Sequence, residues 1–115
     1  MAKFSINEYR AGDVMILDMK GNITIGEGSV VLRGEIDRLL NEGQRKILLN
    51  LANVSYLDSS GIGELVASYT AINREGGQLK LLNLTHRIRD VLAITKLVTV
   101  FDSYDNELNA LSSFN

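Results

Sequence analysis

From Val14 onward the chain alternates short apolar runs with stretches of helical periodicity, and this alternation restricts its fold more than any other feature. Strands joined through a helix need a crossover, so such strands lie parallel in one sheet with the helices packed upon it. In order, the chain predicts strand, strand, helix, strand, helix, strand, helix, strand, helix. Phe4 to Tyr9 alternates apolar and polar residues, Ala11-Gly12-Asp13 makes a turn, and Val14-Met15-Ile16-Leu17 returns as a mostly apolar strand. That is an N-terminal antiparallel hairpin. The expected fold is α/β: one domain over residues 1–115, with a small, mixed, mostly parallel sheet and about four flanking helices.

Residues 21–28 are punctuated by glycine and predict an exposed loop, since no Gly-Lys-Ser/Thr follows to make a phosphate-binding loop. A helix follows from about Ser29 to Asn41, with Leu32, Ile36, Leu39 and Leu40 as its apolar stripe and Gly43 at its end. Gly34 lies off that stripe, where it weakens a helix by about 1 kcal/mol. Lys46 to Leu51 is a nearly continuous apolar run, as in a strand covered on both faces, and 52–57 reads as a link. The next helix carries Ile62, Leu65, Val66, Tyr69 and Ile72 on its inner side. Its other side, Ser60, Glu64, Ala67 and Ala71, is small for a face expected to meet water. Such a face admits a close partner backbone, although alanine is also simply the best helix former.

Gly76-Gly77 closes that helix, and Gln78 to Leu84 predicts a strand. Thr85 then caps a helix whose inner side is Ile88, Val91, Leu92 and Thr95. His86, Arg87 and Arg89 form its solvated start. Leu97 to Phe101 predicts a last β-branched strand, and Tyr104, Leu108 and Leu111 mark a closing amphipathic helix. Met15 and Met19 read as core filler.

Composition excludes several classes of function. With no cysteine and one histidine there is no thiolate or histidine cage for a metal, so no metal or other cofactor is expected. A net charge of −2 without a basic stripe argues against nucleic acid as the main partner. No apolar run is long enough to cross a membrane and no leader sequence is evident, so the expected location is the cytoplasm.

The chemically distinctive stretch is Asp58-Ser59-Ser60-Gly61-Ile62-Gly63-Glu64. It stands between the apolar strand and the helix, where the first amides have no intrahelical acceptor and carry partial positive charge. Three roles suit such a segment. Asp58 or Ser59 can cap the helix, which stabilises it by about 1 kcal/mol. Ser59 can be a nucleophile, but the glycine two positions before a hydrolase elbow is missing and His86 is the only base on offer. Or the serine can be a phosphorylation switch.

The third role gains weight from a resemblance. Leu57-Asp58-Ser59-Ser60-Gly61-Ile62-Gly63, preceded by Ile47-Leu48-Leu49-Asn50-Leu51 and followed by Gly76-Gly77, resembles the signature of the bacterial STAS-domain anti-sigma factor antagonists. The similarity in element order extends over nearly the whole chain. The resemblance implies that Ser59 is the phosphoacceptor, and that the partner is an anti-sigma factor which is also a serine kinase. The unphosphorylated form would bind that partner and so release a sigma factor. A PP2C-type phosphatase would reset the switch, and any ATP would belong to the kinase.

The chain itself would then be no enzyme. Asp58, Ser60, Gly61, Gly63, Glu64, Ala67 and Thr24 are the expected partner-binding residues. One departure bears on this: kinase-controlled members often carry an acid in a pattern like Gly-Glu-Leu-Asp, whereas here Gly21-Asn22-Ile23-Thr24 has Thr24 in its place. The alternative is a non-phosphorylated STAS module that binds a ligand or serves as a scaffold in another signalling assembly.

Overall fold

The computed structural model describes residues 4–114. In chain order the elements are β1 (Ser5–Ala11), β2 (Val14–Ile23), α1 (Gly28–Asn41), β3 (Lys46–Leu57), α2 (Ser59–Arg74), β4 (Gln78–Leu82), α3 (His86–Ile94), β5 (Ser103–Tyr104) and α4 (Glu107–Ser112). The five strands form one mixed sheet in the order β1-β2-β3-β4-β5. β1 and β2 pair antiparallel as the expected hairpin, and every later pairing is parallel.

Side-chain alternation divides the core between the sheet's two faces. Met15, Leu17 and Met19 of β2, with Ile47 and Leu49 of β3, meet Leu32, Ile36 and Leu39 of α1, Leu65 and Ile72 of α2, and Ile88 and Leu92 of α3. The intervening residues Val14, Ile16 and Leu48, with Leu82 of β4, face the other way and pack on Ala110 of α4. Both glycine-marked helix ends are as expected. Gln44 N–H donates to the Leu39 carbonyl at 2.9 Å after α1, and Gly77 N–H donates to the Ile72 carbonyl at 2.9 Å after α2. Gly34 has open space where a Cβ would stand, and nothing in the fold explains it.

Several elements depart from the sequence expectation. β2 runs on to Ile23, so only residues 24–27 remain of the predicted loop. β3 continues through the stretch read as a link. Between Asp18 and Asn22 of β2 the pairing slips twice, β3 contributing an extra residue each time. These bulges place Leu51, Val54 and Leu57 inward at every third position instead of every second. Leu97 to Phe101 is not a strand. Lys96 has φ +62° and turns the chain, Val98 N–H donates to the Leu92 carbonyl at 3.1 Å, and the run wraps over the end of α3. Phe101 is buried edge-on against Tyr69, with ring centres 5.3 Å apart. The fifth strand is the two-residue β5, and in α4 Leu108 is 74% exposed while Ala110 is the buried residue.

Candidate functional site

The carboxyl ends of β2 and β3 lie side by side, with Ile23 paired to Leu57, and each strand hands over to a helix there. One carboxylate locks the two handovers together. Asp58 is in extended conformation as the N-cap of α2, and its Oδ1 accepts from the Gly61 amide at 2.8 Å. Its Oδ2 accepts from the Ile25 amide at 3.0 Å, across the mouth in the loop that enters α1. The Ile25 amide first, then that of Gly61, hold the Asp58 carboxyl below the usual carboxylate range, because both bonds favour the charged form. The loop is closed on its other side by Ser29 N–H donating to the Thr24 carbonyl at 3.1 Å.

Two glycines let the helices start this close to the strand. A Cβ on Gly61 would run into the carbonyl oxygen of Ile23, and one on Gly28 would stand 2.5 Å from the Asn22 carbonyl oxygen and 2.7 Å from the Ile23 Cα. The end of β2 is therefore pinched between α1 and α2, and side chains larger than hydrogen do not fit at either point.

Within this frame Ser59 is the first residue of α2 and is exposed. Ser60 and Thr24 are half-buried, and Gly63 is exposed with no atom within 4 Å of a built Cβ. The other expected partner residues lie elsewhere. Gly61 is buried and spends its bareness on Ile23 inside the chain. Glu64 is only 8% exposed, and its Oε1 accepts from Arg33 Nε of α1 at 3.1 Å. The small face of α2, expected to meet water, is instead covered in large part by α1. Ala67 and Ala71 line an interhelical crevice with Arg33, Ile36, Asp37 and Ser68. Its alanines allow helix approach within the molecule, which corrects the placing of Glu64 and Ala67 on an outer docking face.

Ser68 in that crevice is sealed, and its hydroxyl is, among the described residues, the one buried side-chain polar atom without a hydrogen-bond partner. His86 stands exposed at the start of α3, 3.3 Å from Asp90, and no hydrogen bond joins it to Ser59. Among the described residues no cluster of three or more His, Asp or Glu is placed to hold a metal ion, and no helix is long and apolar enough to cross a membrane. One site residue was not read from the sequence. Ile25, tied to Asp58 across 33 positions of chain, is 75% exposed at the mouth.

Ser59 thus stands at the open start of a helix, in a frame made by its neighbouring acid. The family model of the STAS domain matches residues 5–110. The chain belongs to the STAS domain family. An anti-sigma F factor antagonist of Paenibacillus polymyxa is 30% identical to this STAS domain over 106 residues, covering 91% of this chain and 89% of the relative. The crystal structure of a candidate anti-sigma factor antagonist from Thermotoga maritima superposes with a TM-score of 0.88 at 27% identity, over 95% of this chain and 93% of that one. SpoIIAA of Bacillus, an anti-sigma factor antagonist solved in unphosphorylated and phosphorylated forms, shares the fold at a TM-score of 0.71 and 20% identity, the unphosphorylated form covering 95% of this chain and 94% of its own.

Proposed function

We propose that this STAS domain is a non-catalytic anti-sigma factor antagonist switched by phosphorylation of Ser59. The observation that carries the proposal is the exposure of Ser59 at the first position of α2, in a mouth whose backbone Asp58 already holds. Unphosphorylated, the mouth docks on an anti-sigma factor that is also a serine kinase, and a sigma factor is released. Ser60 and Gly63 of the same helix and Thr24 of the loop tied to Asp58 are the partner contacts, while Gly61 and Glu64 work inside the chain. The kinase supplies ATP and phosphorylates Ser59; a PP2C-type phosphatase removes the phosphate. The names of the relatives and the phosphorylated form of SpoIIAA support this reading.

The energetics favour a switch at this position. Phosphate adds about −1.5 to −2 charge and three acceptor oxygens. Within the domain a helix start favours an anion by about 0.3–1 kcal/mol, partly opposed by the Asp58 carboxylate next to it. At a docked and partly dry contact the same dianion is unpaired, and losses of about 2–5 kcal/mol are typical. The fold therefore tolerates the modification and the complex does not. For the ligand-binding alternative, the crevice between α1 and α2 has a volume of about 60 Å³, which suits a few water molecules and little more, and the larger cavity of about 320 Å³ lined by Arg45, Lys46 and Gly76 to Gln78 lies at the far end of α2 from Ser59.

The test uses Ser59→Ala and Ser59→Asp beside the wild type as baits in extract of the chain's own host, with captured proteins identified by mass spectrometry. An anti-sigma factor is expected with wild type and with Ser59→Ala, and not with Ser59→Asp. Equal capture by all three, or no phosphate on Ser59 of protein taken from cells, rules the switch out.

A further inference from the structure

The geometry points to Ile25 as the apolar anchor by which the anti-sigma factor is held, an inference that rests on the function proposed above. Ile25 is 75% exposed in the loop between β2 and α1, and Val30 and Val31 in the first turn of α1 are 61% and 40% exposed. Exposed aliphatic residues scattered singly are ordinary on any protein surface. Ile25 differs in being held. Its amide donates to Asp58 Oδ2 at 3.0 Å, and the loop behind it is closed by the Ser29-to-Thr24 bond at 3.1 Å.

An apolar side chain on a fixed backbone gives up little freedom on docking, which is the condition under which one residue dominates an interface. Asp58 also places it beside the switch, because the acid that fixes Ile25 immediately precedes Ser59. The partner chemistry follows: an apolar pocket that admits one branched aliphatic side chain and closes over the mouth. It also accounts for the sensitivity to phosphate. A hydrated dianion next to a dry aliphatic contact must either lose its water or hold the surfaces apart.

Two other aliphatic residues are as exposed but lie elsewhere, Ile94 on α3 at 80% and Leu108 on α4 at 74%. α4 packs on the opposite face of the sheet from α1 and α2, so Leu108 is an internal control.

The experiment is calorimetric titration of the unphosphorylated full chain with the purified anti-sigma factor recovered by the Ser59 baits. Ile25→Ala is expected to weaken binding about 30-fold and Ile25→Asp to abolish it, with melting temperatures at the wild-type value. Leu108→Ala is expected to bind within about twofold of wild type. If Ile25→Ala binds like wild type while Ser59→Asp does not, the anchor is refuted and the switch stands. Equal weakening by Leu108→Ala also refutes the anchor. If Ile25→Ala and Ser59→Asp both bind like wild type, the proposed function falls with it.

Discussion

Gly61→Ala and Gly63→Ala, two residues apart in the first turns of one helix, are expected to change stability in opposite directions. At position 61 the added methyl meets the Ile23 carbonyl oxygen and lies 3.0 Å from its carbon and 3.2 Å from the Ile23 Cβ. Two of those three atoms are backbone, in a strand residue paired with Leu57, so no side-chain rotation relieves the clash. Overpacking of this kind costs about 1–3 kcal/mol. The gain in helix propensity, at most about 1 kcal/mol, offsets part of it. A net loss of about 1–2 kcal/mol lowers the melting temperature of a domain this size by roughly 5–10 °C. At position 63 nothing stands within 4 Å of the new methyl, so only the propensity gain remains. There the melting temperature is expected to rise by about 3 °C or more. Differential scanning calorimetry reads both, and urea titration checks that the denaturant slope is unchanged. A Gly61→Ala protein as stable as wild type would refute the claim that the pinch at Ile23 demands glycine.

Three further outcomes are expected. Ser68→Ala removes a sealed hydroxyl that has no partner, so stability rises by about 1 kcal/mol in chemical denaturation; a fall of that size would show that the hydroxyl is satisfied in solution. Lys80 is buried on β4, where its Nζ donates to the Ser113 carbonyl at 3.0 Å and lies 5.2 and 5.7 Å from the ring centres of Phe114 and Tyr104. Lys80→Ala is expected to cost about 2 kcal/mol and to speed hydrogen exchange in α4, with Lys80→Met recovering much of the stability through packing alone. The third outcome concerns acid. The Asp58 carboxyl is depressed by the Ile25 and Gly61 amides, so its contribution is present above the unfolded value, about 3.9, and is lost as pH falls through the lower folded value. Stability of the wild type is therefore expected to drop more steeply below about pH 4 than that of Asp58→Asn, measured by urea midpoints across the acid range.

Most of what builds the frame is local and could be read from the chain. Helix periodicity marked α1 and α2, Gly43 and the Gly76-Gly77 pair marked their ends, and the position of Asp58 before two serines marked the cap. What stayed hidden depends on partners distant in sequence. Ala52 to Leu57 looked like a link because Val54 and Leu57 follow Leu51 at threes, a spacing that only the two bulges against β2 explain. Leu97 to Phe101 has strong strand propensity, but Leu92 and the sheet claim its residues for a turn, and packing prevails over propensity. Glu64 looked solvent-facing from its place on α2. Its burial comes from α1, whose Arg33 neutralises it across 31 positions. Likewise the second oxygen of Asp58 reaches Ile25, and no local pattern announces that bond.

The strands stand across the sheet in the order in which they are translated, β1-β2-β3-β4-β5. Each strand after β1 that leaves a ribosome thus finds a neighbour already made. The mouth around Asp58 draws on β2, β3 and the starts of α1 and α2, all of which lie within the first 74 residues. The mouth is thus shaped by the first two-thirds of the polypeptide, and β4, α3, β5 and α4 arrive afterwards to extend the sheet away from it and to cover its flank and reverse.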